Sequence, residues 1–136
     1  MLLKTFFNIL DIKTEGEKTL AQVELIKDHK IYEGHFPQNP VAPGVCLIQM
    51  IRETLEVCLE KKIMLETADE IKFINIVNPV ICEILTIEIN KRPKAASPLA
   101  FSIIITGGEI IYFKMKAEFK ECNSLQSFDT QTAMTD

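Results

Sequence analysis

His35 lies in a proline-rich stretch, nine residues before Gly44, where the most apolar helical segment of the sequence begins. Histidine exchanges a proton near neutral pH, so a histidine in such a stretch can serve as a general base. A single histidine in a loop is more often a structural or surface residue. The residues around His35 must therefore distinguish the two roles.

The start of the helix lacks a capping side chain. Pro43 and Gly44 stand where Ser, Thr, Asp or Asn normally caps a helix. The amides of Gly44, Val45 and Cys46 therefore have no side-chain acceptor nearby in the sequence. Free amides at a helix N-terminus stabilise an oxygen that gains negative charge, and glycine lets a ligand approach the backbone closely. A histidine facing such amides predicts proton removal beside a thioester carbonyl; a solvated helix start is the alternative.

The surrounding pattern predicts six strands and one helix. The strands are predicted over residues 6–13, 19–27, 70–77, 83–91, 100–106 and 110–119, and the helix over residues 45–62. Glycines predict hairpin turns near residues 14–18 and 106–109, whereas residues 28–44 form a long stretch without periodicity. One long apolar helix among about six strands predicts an α+β fold, with an antiparallel sheet wrapped around the helix.

Composition excludes several classes of protein. The chain has 136 residues, of which 47% are hydrophobic and 25% charged, as is typical of a globular domain. A net charge of −4 argues against nucleic-acid binding, and no apolar run is long enough for membrane insertion. Because the first residues also lack the features of a signal peptide, we expect a cytoplasmic protein. Residues 1–122 are predicted to form a single domain, followed by a polar tail over residues 123–136.

The four cysteines, Cys46, Cys58, Cys82 and Cys122, match no zinc or iron–sulfur ligand spacing. Most lie among aliphatic residues and are interpreted as small buried side chains. Only Cys46, which is close to His35 in the sequence, is a candidate nucleophile. We expect neither a metal nor a cofactor.

The segment from His35 to Val45 resembles the signature of the β-hydroxyacyl-acyl-carrier-protein dehydratases, whose fold is the hot-dog fold. In this sequence the matching residues are His35-Phe36-Pro37, Pro40 and Pro43-Gly44-Val45, with a weaker match at Ile71-Lys72-Phe73 and Pro79. The order and length of the predicted elements fit one complete domain of this kind, so the resemblance covers most of the chain. It implies a hot-dog fold of about six strands around one central helix.

The resemblance also implies a mechanism. His35 would be the general base that removes the α-proton, and the backbone amides of Gly44 and Val45 would hold the thioester carbonyl. Phe36 and Pro43 would line the substrate-binding site. The substrate would be a (3R)-hydroxyacyl group carried by acyl carrier protein or coenzyme A. The active site would lie between the subunits of a homodimer or higher homo-oligomer.

Gln49 stands where the family has Glu or Asp. A glutamine side chain has no titratable proton, so it cannot protonate a departing hydroxyl. His35 could return the proton while Gln49 orients the hydroxyl, Gln49 could position water for thioester hydrolysis, or a partner could supply the acid. Two further alternatives are that Gln49 begins a solvent-facing polar stripe with Glu53, Glu56 and Glu60, and that Glu53 replaces the missing acid.

Three functions follow from these alternatives. The first is a lyase that interconverts (3R)-hydroxyacyl and trans-2-enoyl thioesters in acyl-chain synthesis. The second is a hot-dog thioesterase that uses His35 and Gln49 around a water molecule. The third is a weakly active or non-catalytic subunit of a heteromeric dehydratase.

Overall fold

The computed structural model describes residues 1–34, 40–93 and 97–122. The strands are β1 Phe7–Glu15, β2 Lys18–Leu25, β3 Ile63–Phe73, β4 Ile84–Lys91, β5 Ala100–Gly107 and β6 Ile110–Glu121, and helix α1 spans Gly44–Leu59. This confirms the predicted α+β class. The predicted polar tail, residues 123–136, lies outside the described residues.

The six strands form one sheet in the order β1-β2-β4-β5-β6-β3, and every pair of neighbours is antiparallel. Helix α1 lies close to both edge strands, β1 and β3. A sheet whose two edges approach the same helix must curve around it. The predicted arrangement of a sheet wrapped around one helix is therefore confirmed.

Glycines determine the two tight hairpins. Gly16 and Gly108 both have a φ of 61°, in the left-handed region that glycine enters without a steric penalty. Gly16 lies between β1 and β2, and Gly108 lies between β5 and β6. Both predicted hairpin turns are confirmed.

Alternate side chains of the central strands point towards α1 and form a single core with it. Members of this core from α1, β4 and β5 are Leu47, Met50, Ile51, Leu55, Leu85, Ile87, Ile89, Ile103 and Ile105. Full burial of one such side chain contributes about 1.5–3 kcal/mol. The core therefore holds α1 in a fixed position against the sheet, and with it the start of the helix.

The sequence predicted a strand over residues 70–77, whereas strand β3 begins at Ile63 and ends at Phe73. Ile63 is buried, but nearly all the other side chains of the strand are exposed, so no alternation of apolar and polar residues marks the strand in the sequence. Beyond Phe73 the amide of Ile74 donates to the carbonyl of Tyr112 at 2.9 Å, outside the strand ladder. The residues that follow line a groove described below.

Helix α1 ends at Leu59, before the predicted end at residue 62. Glu60 adopts the left-handed conformation, with φ 55° and ψ 42°, which terminates a helix. The amide of Ile63 then donates to Glu56 Oε2 at 3.1 Å, and its carbonyl accepts from Arg52 Nη1 at 3.2 Å. The helix thus fixes the first residue of β3. Across the described ranges, no helix is long and apolar enough to span a membrane.

The stretch over residues 28–44 is more regular than predicted, because Lys30–Gly34 forms a 3₁₀ helix. His29 supports its first turn: His29 Nδ1 accepts from the amide of Ile31 at 3.0 Å, and the His29 carbonyl accepts from the amide of Tyr32 at 3.2 Å. Such short turns depend on a few local hydrogen bonds. Hydrophobic periodicity does not reveal them.

Candidate active site

Helix α1 begins without a capping side chain from any described residue, as predicted. Pro43 is the N-cap residue, in an extended conformation. The Pro43 carbonyl accepts the amides of Cys46 and Leu47 at 3.0 and 3.2 Å. The Cys46 amide, for which the sequence showed no side-chain acceptor, is therefore bonded to the backbone and is not available to a ligand. The amides of Gly44 and Val45 donate to no acceptor among the described residues.

A groove of about 290 Å³ is lined in part by Gly44, the first residue of α1. Its lining also includes Pro43 and residues 73–77, which are the last residue of β3 and the four residues after it. The remaining lining residues are Val41, Ala42 and Leu47. The groove is therefore mostly apolar and includes the first residue of the uncapped helix, an arrangement that suits an acyl chain joined to a polar carbonyl.

The ring of Phe73 lies against Gly44. A Cβ atom built on Gly44 would come within 2.5 Å of Phe73 Cε1, closer than any real contact. The sequence predicted that Gly44 leaves room for a ligand beside its backbone. The ring of Phe73 occupies the space on the Cβ side of Gly44, and the approach of a substrate carbonyl to the Gly44 N–H stays a prediction.

Two predicted site residues, His35 and Phe36, lie outside the described residues. The chain on either side of them is anchored to the core. Tyr32 is 5% exposed and its ring stacks on Phe6, with 6.0 Å between centroids. Ala42 is buried, and its amide donates to the carbonyl of Val77 at 2.8 Å.

Two titratable side chains near the helix start have raised pKa values. Burial raises the pKa of the Tyr32 hydroxyl above its usual range, and the nearby Cys46 adds a smaller effect. Burial also raises the pKa of the Cys46 thiol. A nucleophilic cysteine requires the opposite shift. The interpretation of Cys46 as a small buried side chain is therefore favoured over a catalytic role.

Gln49 is half-buried, and polar neighbours hold both ends of its side-chain amide. Its Nε2 donates to Glu53 Oε2 at 2.6 Å, and its Oε1 accepts from Arg52 Nε at 3.4 Å. Arg52 and Glu53 follow Gln49 by three and four residues, the spacings at which helical side chains meet. This spacing was visible in the sequence, but the role of Arg52 was missed.

Glu53 is 2% exposed, although its helix position suggested a solvent-facing residue. Its oxygens accept the amide of Leu2 at 2.9 and 2.8 Å and the amide of Leu3 at 2.7 Å, in addition to Gln49. The predicted solvent-facing stripe is therefore wrong at Glu53, whereas Glu60 is exposed. A carboxylate whose oxygens already accept three N–H groups is poorly suited to replace the missing acid.

The described part of the chain contains no group of three His, Cys, Asp or Glu side chains that is placed to hold a metal ion. The chemical groups that it does present are two free backbone amides, an apolar groove and an oriented glutamine amide. These groups can bind and polarise a carbonyl and can hydrogen-bond a hydroxyl or a water. These groups do not include a general base; the prediction that His35 is the base concerns a residue outside the described ranges.

A curved antiparallel sheet around one long helix is the hot-dog fold, and solved structures share it. The dehydratase heterocomplex ApeI:P from Xenorhabdus doucetiae contains a chain that matches with a TM-score of 0.67 and 18% identity, covering 82% of this chain and 96% of that chain. An uncharacterized protein from Erwinia carotovora subsp. atroseptica matches with a TM-score of 0.55 and 21% identity, covering 87% and 94%. At these identities the similarity concerns the fold.

The sequence identifies the family. The model of the ApeI-like family, described as ApeI dehydratase, matches residues 11–116. This chain therefore belongs to the ApeI-like dehydratase family. The match includes the helix start, the groove and Gln49.

Similarity to curated proteins is partial. The 3-hydroxyacyl-acyl-carrier-protein dehydratase FabZ of Oenococcus oeni is 37% identical over 46 residues, which is 34% of this chain and 33% of the relative. The corresponding FabZ of Lactobacillus helveticus is 30% identical over 81 residues, which is 54% of this chain and 55% of the relative. The matched region thus spans between a third and just over half of these relatives.

Proposed function

We propose that the protein interconverts (3R)-hydroxyacyl and trans-2-enoyl thioesters by reversible dehydration. One observation carries the proposal: the amides of Gly44 and Val45 have no acceptor among the described residues, and Gly44 lines an apolar groove in a chain of a dehydratase family. Two N–H groups at a helix start stabilise the negative charge that a thioester oxygen gains when its α-proton is removed.

In the proposed reaction His35 takes the α-proton, and the electrons of the broken C–H bond enter the carbonyl. The oxygen is then held by the amides of Gly44 and Val45. The electrons return to form the double bond as the C–O bond at the β-carbon breaks. His35 gives its proton to the departing hydroxyl, which leaves as water, while Gln49 donates a hydrogen bond to that oxygen.

The substrate proposed is a thioester of acyl carrier protein or of coenzyme A, in fatty acid or related acyl-chain synthesis. Support comes from the FabZ relatives, which are named for carrier-bound 3-hydroxyacyl substrates. The apolar lining of the groove agrees with an acyl chain. Pro43 lines the groove. We propose that Phe36 also lines the substrate-binding site.

We also propose that the protein is a homodimer. Within the part of the chain that the structure describes, strand β3 pairs only with β6 and is an edge strand, and an exposed edge of this length favours pairing with another strand. Large apolar side chains along and just beyond it are exposed: Met64, Leu65, Ile71, Phe73, Ile74 and Ile76. A heteromeric partner is the alternative, because ApeI:P is described as a heterocomplex. The molecular mass of the purified chain in solution distinguishes the two.

A thioesterase is the second candidate function. It is favoured by the side chain of Gln49, which has no acidic proton but keeps one N–H and one lone pair free of Glu53 and Arg52. Such an amide can position a water molecule for attack on a thioester carbonyl. The two activities differ in the bond that breaks.

The test is to incubate the purified protein with crotonyl and longer enoyl thioesters of coenzyme A and of acyl carrier protein. A dehydratase adds water, so the ultraviolet absorbance of the conjugated enoyl thioester falls while no free thiol appears. A thioesterase releases one thiol for each substrate consumed. Thiol release without hydration would replace the proposed function with the second candidate, and no change in either signal would reject both.

Replacing Gly44 with alanine should weaken substrate binding while the fold is retained. The added methyl group would push the Phe73 ring aside, and because this ring is 58% exposed it can move at small cost. The groove would be altered next to the amides. We expect KM to rise about fivefold, equivalent to roughly 1 kcal/mol. Steady-state kinetics and thermal unfolding measure the two effects.

The double variant Gly44→Ala with Phe73→Ala tests whether the contact between the new methyl group and the Phe73 ring causes the rise in KM. Removing the ring makes room for the methyl group, so KM should return towards the wild-type value. An unchanged KM in Gly44→Ala alone would show that the substrate does not use this part of the groove.

A further inference from the structure

We propose that Glu53 is a positioning residue, which acts on the reaction through Gln49 and does not touch the substrate. This inference rests on the function proposed above. Glu53 is 2% exposed, and its carboxylate lies 2.6 Å from Gln49 Nε2. No function was expected of Glu53 except as a replacement acid, and its hydrogen bonds argue against that role.

The partners of Gln49 allow only one orientation of its amide. Both oxygens of Glu53 already act as acceptors for backbone amides, and a guanidinium can only donate hydrogen bonds. Glu53 therefore binds the Nε2 end, and Arg52 binds the Oε1 end. Turning the amide by 180° would place two acceptors against each other at Glu53 and two donors against each other at Arg52. Gln49 is thus held with one N–H and one lone pair available.

Both partners are themselves held in place. Glu53 accepts the amides of Leu2 and Leu3 at 2.7–2.9 Å, so the N-terminal residues form the support behind the carboxylate. Arg52 donates to Glu56 Oε2 at 2.9 Å and to the carbonyl of Ile63 at 3.2 Å. The orientation of Gln49 is therefore coupled to the first turn of the chain and to the start of β3.

A fixed orientation matters because a glutamine amide offers a donor at one end and an acceptor at the other. The departing hydroxyl oxygen needs a donor. Without Glu53 the amide can present its lone pair to that oxygen instead, which is repulsive. Residues that orient a reacting group in this way typically contribute about 10–100-fold to activity.

The orientation can be tested in the full chain without any substrate. In ¹⁵N-labelled protein, the side-chain amide of Gln49 is assigned by its absence from the spectrum of Gln49→Ala. We expect one of its two protons to exchange with solvent about tenfold more slowly than those of the exposed Gln22. Equal exchange at Gln49 and Gln22 would overturn the inference, whatever the activity of the protein.

The second test is the nearly isosteric substitution Glu53→Gln. It lets the Gln49 amide adopt either orientation, so neither side-chain amide proton of Gln49 should exchange slowly with solvent. With an enoyl thioester, kcat should fall about tenfold while KM stays within twofold. The matched control is Glu60→Gln, which removes an exposed carboxylate at the end of the same helix; within the described ranges, Glu60 has no hydrogen bond to Gln49, Arg52 or Glu53. In this control the Gln49 signal and kcat should be unchanged.

The outcomes separate this inference from the proposed function. If the wild type turns over no thioester, the proposed function fails, while the exchange measurement still decides the orientation of Gln49. If the wild type is active and Glu53→Gln retains its kcat, the inference is overturned and the function stands. If Glu53→Gln does not fold, Glu53→Asp replaces it, because the shorter side chain draws the carboxylate away from Nε2. A normal Gln49 signal and kcat in Glu53→Asp would likewise overturn the inference.

Discussion

Replacing His35 with alanine should lower the rate of enoyl-thioester hydration by about 10²–10⁴-fold, the usual loss when a general base is removed. The variant should still bind substrate, because the amides of Gly44 and Val45 and the apolar groove are retained. The effect should therefore appear in kcat rather than in KM. Steady-state hydration rates of the wild type and the variant provide the measurement.

The chain has two histidines, so His29 offers a matched control. His29 Nδ1 accepts from the amide of Ile31, and its ring meets Phe6 edge-on, which indicates a structural residue. The variant His29→Asn keeps an acceptor for that amide and should retain most of the activity. A large loss in His29→Asn together with a small loss in His35→Ala would remove His35 from the mechanism.

Replacing Gln49 with glutamate should destabilise the protein, although the resemblance noted in the sequence implies an acidic residue at this position. The new carboxylate would lie at hydrogen-bonding distance from buried Glu53, where the amide now lies at 2.6 Å. Two carboxylates so close cannot both be charged without strong repulsion. We expect a loss of about 3 kcal/mol in the free energy of unfolding at pH 8.

Adding Glu53→Gln to Gln49→Glu should restore most of this loss, because one amide and one carboxylate then face each other again. The loss in the single variant should be smaller at pH 5 than at pH 8, since a shared proton removes the repulsion. Urea denaturation at both pH values measures these differences. The exposed Gln22→Glu adds the same charge elsewhere and should have little effect. A single variant as stable as the wild type would contradict the arrangement of Gln49 and Glu53.

This result bears on the third function considered above. If Gln49→Glu alone gained no activity, the cause could be the repulsion between the new carboxylate and Glu53 rather than the chemistry of glutamate. The double variant carries an acid at position 49 without that repulsion. A dehydratase activity present only in the double variant would indicate a wild-type subunit that depends on a partner for its acid.

Much of the fold could be predicted because local signals and the global arrangement agree. Glycines indicated the hairpins in the sequence, and in the structure Gly16 and Gly108 have positive φ there. The apolar run after Gly44 indicated the helix that the sheet surrounds. Strand β3 was misplaced because it lies at an exposed edge, where no buried face imposes alternation on the sequence. The 3₁₀ helix Lys30–Gly34 was missed because its stability comes from hydrogen bonds of His29.

The candidate site was only partly predictable for a similar reason. The uncapped start of α1 follows from Pro43 and Gly44, which are local features. The ring of Phe73 beside Gly44 and the amides of Leu2 and Leu3 on Glu53 are contacts between residues far apart in the sequence. Helical spacing alone assigned Glu53 to the solvent, because spacing does not show that the N-terminal turn covers this residue.

The most direct test of the central claim is to hydrate an enoyl thioester with the wild-type protein in D₂O. If the reaction occurs at the α- and β-carbons, the product is an intact 3-hydroxyacyl thioester with one carbon-bound deuterium at the α-position. Mass spectrometry and proton NMR detect that label, and His35→Ala should not form it at a comparable rate. Recovery of unlabelled enoyl acid with free thiol, or of unchanged substrate, would contradict the account.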